Sequence, residues 1–120
     1  PGIALMRDDE RVTRRSYHIY MFRFIEDEWE IPRSKFLQAL NAEGITASGG
    51  YPHPIYKNPF FQSDEIKQWR DYTEVRCPNT EQFCSEAVWM SHPMFLAEKE
   101  DMADIVSAIR KVWENREELA

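Results

Sequence analysis

The residues of this chain able to do chemistry are few. His18, His53 and His92 are its only histidines, and no two have the spacing of a metal-binding helix or hairpin, so a metal site would need three distant segments to converge. Cys77 and Cys84 are separated by Pro78 and a helix start. That spacing suits neither a zinc knuckle nor a redox pair, and two reduced thiols of a cytoplasmic protein are the simpler reading. Serine-nucleophile motifs are absent, and Gly49-Gly50 runs into Tyr-Pro rather than into a phosphate-cradling helix start. Lys35 and Lys111 fall on helices with charged surroundings, and Lys57 lies in a loop. Nothing self-contained for catalysis is visible.

The stretch Gly49 to Phe61, G-G-Y-P-H-P-I-Y-K-N-P-F-F, instead reads as a contact surface. It sets tyrosine, histidine and phenylalanine rings among three prolines, cannot be a helix, and is stiff enough that little entropy is lost when it binds. His53, held between Pro52 and Pro54, suits a contact residue. His92 ends a strand before Pro93, where polar residues face clefts or serve structure equally well. His18 reads as a packed strand residue with a ring nitrogen bonded to a neighbouring carbonyl.

The elements that must position these residues alternate along the chain. Ser16 to Phe24 is aromatic and branched on both faces, the pattern of a strand covered on two sides. Pro32 to Glu43 is an amphipathic helix whose Phe36, Leu37 and Leu40 share a face, with Gly44 as left-handed cap and Ile45 as the hydrophobic contact beyond it. A second strand is expected near Thr46 to Gly50. Asn79 and Gln82 form a helix-start signature after Pro78, Val88 to His92 is a third strand, and Glu98, Glu100 and Asp101 open a last helix. The apolar stripe of that helix is Met102, Ile105, Val106, Ile109 and either Val112 or Trp113.

The fold class is therefore α+β, a small three-stranded sheet with helices packed mainly on one face. One domain fills residues 1–120: a lead-in over 1–15, strand, helix, strand and aromatic loop over 16–57, a long loop with room for a short helix over 58–77, and helix, strand and helix over 78–114. A net charge of −6 and a pI near 5.1, with no basic cluster longer than Arg14-Arg15, argue against nucleic acid and anionic membrane. No apolar run approaches the length of a membrane span and no export signal is visible. Pro1 fits either methionine removal or a piece of a longer protein.

Taken together, S-Y-H-I-Y, R-S-K-F-L-Q-A-L-N-A-E-G-I, the Gly49–Phe61 loop, C-P-N-T-E-Q-F-C-S-E-A-V-W-M-S-H-P and E-D-M-A-D-I-V-S-A-I-R-K-V resemble the C-terminal small domain of the DegT/DnrJ/StrS aminotransferases, from about Ser16 to Trp113. The G-G-Y and W-M-S-H-P details are similar to members acting on sugars or inososes. The resemblance implies a bacterial, fold-type-I enzyme using pyridoxal phosphate to move an amino group from glutamate or glutamine onto a keto sugar nucleotide or cyclitol. It implies a homodimeric parent whose large domain, absent here, carries the cofactor lysine, so that no cofactor binds this chain alone. Tyr51, His53 and Tyr56 would then be substrate contacts, with His92 close to the end of the strand bordering the cleft. The G-Y-P-H-P-I-Y sequence departs from the commoner H-Y-P-x-P-L-H form at His53. An apolar patch should mark the face meeting the large domain. A self-standing binding or regulatory module derived from that domain is the alternative.

Overall fold

The computed structural model describes residues 1–120. Its sheet has three strands, β1 (Ile3–Leu5), β2 (Ile19–Phe24) and β3 (Ala87–Ser91), in the order β1-β2-β3, with both neighbouring pairs antiparallel. Phe24 lies opposite Ile3, Phe22 opposite both Leu5 and Val88, and Tyr20 opposite Met90. Residues directly opposite share a face, so this register gathers the apolar residues on one side.

Three differences from the sequence reading stand out here. The expected lead-in supplies an edge strand, β1, which three residues are too short to announce by alternation. β2 begins at Ile19, which leaves His18 exposed and outside the sheet rather than packed within it. Nor is β2 covered on both faces: Phe22 and Phe24 are buried, whereas Met21 and Arg23 are only half so.

The buried face is closed by α2 (Arg33–Ala42) and α5 (Lys99–Glu114), which pack against each other over it. A short helix α1 (Glu26–Trp29) drives Trp29 into the interior. There the Phe24 and Phe36 rings stack at 4.7 Å, and Trp29 meets Phe36 at 4.8 Å and Trp113 at 4.9 Å. Edge-to-face and offset contacts at these separations add to the area the rings bury. The α5 stripe differs in one member, since Val106 is exposed and Ala108 is buried in its stead.

The turn after α2 forms as its sequence dictates. Gly44 takes φ +88°, the Ile45 amide donates to the Leu40 carbonyl at 3.1 Å, and the Gly44 amide to Asn41 at 3.0 Å. The strand expected near Thr46 to Gly50 shrinks to a single bridge, Ser48 with Trp89, whose amides and carbonyls exchange bonds of 3.0 and 2.8 Å. It goes no further because the Asn41 side chain takes both the amide and the carbonyl of Ala47 on one side, and Gly50 turns away on the other.

Beyond the loop come a four-residue helix α3 (Asp64–Lys67) and α4 (Pro78–Glu86). Asn79 does not cap α4. Pro78 occupies its first turn, Cys77 precedes it without a side-chain bond, and Gln82 donates forward to Glu86 at 3.0 Å. α5 does carry a reciprocal cap, between Glu98 and Asp101.

Candidate functional site

The aromatic loop is held to the body of the protein in three places. At its base, one nitrogen of the Arg33 guanidinium, Nη1, faces the carbonyls of Gly49, Cys84 and Ala87 at 3.3, 3.0 and 2.7 Å. Arg33 opens α2, where a cation faces the positive end of the helix dipole and an acid would be expected. Its side chain turns to the carbonyls at the end of α4 and the start of β3, where positive charge is favoured. The loop's entry is thereby tied to the α4–β3 junction. This cation at an unfavourable helix position was the one sequence signal for a role that spacing alone did not assign.

At the second place, Gly50 takes φ +67° and lies flat on the indole of Trp89. The next ring, Tyr51, stands edge-on to that indole at 5.0 Å and 82°. Tyr51 is 69% exposed. It is a ring held in place by its neighbours yet open to whatever approaches.

The third place is Tyr56, which is buried. Its hydroxyl donates to Glu81 Oε1 in the first turn of α4 and accepts from the Cys77 amide at 3.1 Å. Lys57 Nζ pairs with the other Glu81 oxygen at 3.0 Å, and Gln62 Nε2 donates to the Tyr56 carbonyl at 2.5 Å. Two short 3₁₀ turns, Ile55–Lys57 and Pro59–Gln62, carry the chain onward, the second capped by Asn58 accepting from the Phe60 amide at 3.0 Å.

The four residues singled out from sequence therefore sit differently. Tyr51 is presented outward, His53 is half-buried between a buried Pro54 and an exposed Pro52, and His92 is exposed at the start of the His92–Phe95 turn that follows β3. Tyr56 faces inward with its hydroxyl engaged. Tyr51 contacts Trp89, on the same strand that leads to His92, so one edge of the sheet carries both. Ile55, Phe60 and Trp69 join Tyr51 as exposed large apolar residues of this region. All five lysines are exposed, with Lys57 and Lys111 in ion pairs to Glu81 and Glu43. No three His, Cys, Asp or Glu side chains converge as metal ligands would.

Charge holds the Tyr56 anchor together. The Tyr56 hydroxyl, then the Lys57 ammonium, keep the Glu81 carboxyl below its ordinary value, while burial and then the hydrogen bond to Glu81 push the Tyr56 phenol up. A depressed carboxyl stabilises the fold above its unfolded value and loses that contribution as pH falls through the folded one. The Tyr56, Lys57 and Cys77 amide resonances are thus expected to move together on acidification, with a midpoint below the ordinary glutamate value of about 4.3. A midpoint at or above it would show that the anchor does not exist in solution.

Comparison with known proteins adds a second line. The family model described as the DegT/DnrJ/EryC1/StrS aminotransferase family matches residues 1–110. A protein of Streptomyces kanamyceticus, provisionally named L-glutamine:3-amino-2,3-dideoxy-scyllo-inosose aminotransferase, is 33% identical over 126 residues, covering 93% of this chain and 30% of its own length. One of the same provisional name from Micromonospora echinospora is 33% identical over 127 residues, covering 95% and 30%. The crystal structure of 3-amino-5-hydroxybenzoic acid synthase superposes with a TM-score of 0.70 at 25% identity, over 92% of this chain and 29% of that one. The chain spans 30% of the length of these inosose-aminotransferase relatives. No helix is long and apolar enough to cross a membrane. A match running from Pro1 to Arg110, over the whole sheet and most of the last helix, means that the chain belongs to the DegT/DnrJ/EryC1/StrS aminotransferase family.

Proposed function

We propose that this chain is the C-terminal small domain of a pyridoxal-phosphate-dependent aminotransferase that moves an amino group from glutamate or glutamine to a keto sugar nucleotide or inosose. It forms the substrate-side wall of a cleft whose cofactor lysine lies in a large domain, within a homodimeric parent. The observation that carries this reading is the loop: a rigid aromatic segment fixed by Arg33, Trp89 and Glu81 with Tyr51 left open. The relatives' names supply the substrate class, and the 30% share of their length supports a partial role.

Bound pyridoxal phosphate supplies an electron sink for breaking and making bonds at the amino-bearing carbon. The residues present here do not fit its covalent attachment, which needs a desolvated lysine of lowered basicity, because every lysine is at the surface. What the chain's own residues do is bind, orient and exclude water. Tyr51 offers a ring face to the apolar side of a sugar or cyclitol, and His53 and His92 offer ring nitrogens to its hydroxyls. Tyr56 keeps the loop in shape from beneath.

The isolated chain mixed with pyridoxal phosphate and borohydride should take up label thinly over its exposed lysines. Saturable incorporation on a single lysine would overturn the assignment. The whole enzyme, assayed with keto sugar nucleotides and inososes and with glutamate and glutamine as donors, then identifies the substrate.

A further inference from the structure

Beside the Tyr56 anchor lies a cavity of about 380 Å³, lined by Tyr56, Lys57, Gln62, Tyr72, Thr73 and Arg76. That volume falls within the range of small-ligand pockets. Its hydrogen-bonding capacity is lopsided. Arg76 gives Nη1 to the carbonyls of Thr73 and Val75 at 2.7 and 2.9 Å and has no carboxylate partner, so Nε and Nη2 stay available. Lys57 places one of its three N–H groups on Glu81 and keeps the others. No carboxylate lines the cavity; beside it Glu81 is engaged by Tyr56 and Lys57, and Asp71 by the Thr73 amide and hydroxyl at 2.9 and 2.6 Å, while Glu74 lies exposed next to Thr73. Gln62 donates to the Tyr56 carbonyl, leaving its own oxygen as the lining's free side-chain amide acceptor.

A concave site with spare cationic donors and no carboxylate in its lining favours an anion with several oxygen acceptors, which a guanidinium fork meets edge-on. We propose that this cavity is an anion subsite that takes a carboxylate or phosphate group between Arg76 and Lys57. It shares only Tyr56 with the four residues singled out above and does not depend on the aminotransferase reading. The whole chain is chemically competent to show it, because every lining residue belongs to these 120.

The test is a titration of the isotope-labelled chain with sodium glutarate and, separately, with inorganic phosphate, at constant ionic strength kept by chloride. Saturable amide shifts centred on Lys57, Gln62, Thr73 and Arg76 are expected, and the arm that saturates at lower concentration identifies the anion. Arg76→Ala should weaken that binding about tenfold or more, as loss of a charge-assisted pair does. Arg110→Ala, on the exposed face of α5, should leave it unchanged. Arg76 bonds only to carbonyls within three residues of itself, so its loss leaves the fold intact, as the remaining spectrum will report. Shifts that never saturate with either anion, or that are the same in Arg76→Ala, would overturn the proposal.

Discussion

Replacing Trp29 with alanine is expected to cost about 3–5 kcal/mol of stability, the range for deleting a fully buried large aromatic side chain. Trp29 is 1% exposed and contacts Phe24, Phe36 and Trp113, while its Nε1 donates to the Gly2 carbonyl at 3.0 Å. The ring therefore joins β1 to α2 and α5 at a single point. Its removal leaves a void where three rings met and frees one of the two bonds to the Gly2 carbonyl, the other being from the Ile25 amide at 2.8 Å. Domains are stable by only about 5–15 kcal/mol, so the loss is a large share of the whole. Urea unfolding of Trp29→Ala beside Trp69→Ala measures it. Trp69 is 83% exposed, and its loss should fall within about 0.5 kcal/mol of no effect. Equal midpoints for the two variants would show that the core is not built around Trp29.

The second large effect is expected at Gly50. An alanine methyl there would lie 2.4 Å from Cε2 and 2.7 Å from Nε1 of Trp89, on a backbone at φ +67°. The left-handed conformation costs a non-glycine residue about 1–2 kcal/mol, and forcing apart packed groups about 1–3 more. Gly44→Ala isolates the first cost, because its φ of +88° is similar and nothing lies within 4 Å of the added methyl. Gly50→Ala should thus be the more destabilised, and the loop should lift from the indole, carrying Tyr51 with it. Two readouts separate these effects: the unfolding midpoint, and the Trp89 indole N–H resonance, which should move only in Gly50→Ala. Equal stabilities and an unmoved indole would mean that the loop does not rest on Trp89. Under the proposed function, the same substitution in the whole enzyme should reduce turnover, because Tyr51 would no longer be presented from a fixed position.

Much of this was legible in the amino-acid sequence because it depends on local periodicity and turn chemistry. The helical spacing of Phe36 and Leu40, the Gly44 cap and the ring-and-proline loop each declare themselves within a few residues. What stayed hidden depends on partners distant in the chain. β1 becomes a strand only because β2 offers it a neighbour, and the segment near Ser48 is denied one by the Asn41 side chain. Tyr56 looked like a contact residue, yet its orientation is set by Glu81, 25 positions away. Arg33 bridges positions 51 and 54 residues beyond it, which no local pattern records. Identities of ring and proline mark where a surface lies, whereas the fastening that shapes it is a matter of tertiary geometry.

The wide separation of β2 from β3 sets an order of assembly. Arg23 meets Glu86 across 63 intervening steps of chain, so joining these strands means closing a long segment whose entropy must be lost before their contacts give anything back. β1, β2, α1 and α2 can condense early around neighbouring rings. The Gly49–Phe61 segment finds Trp89 and Glu81 only once the remote half has docked. The surface that would meet a substrate thus draws its shape from both halves of the chain.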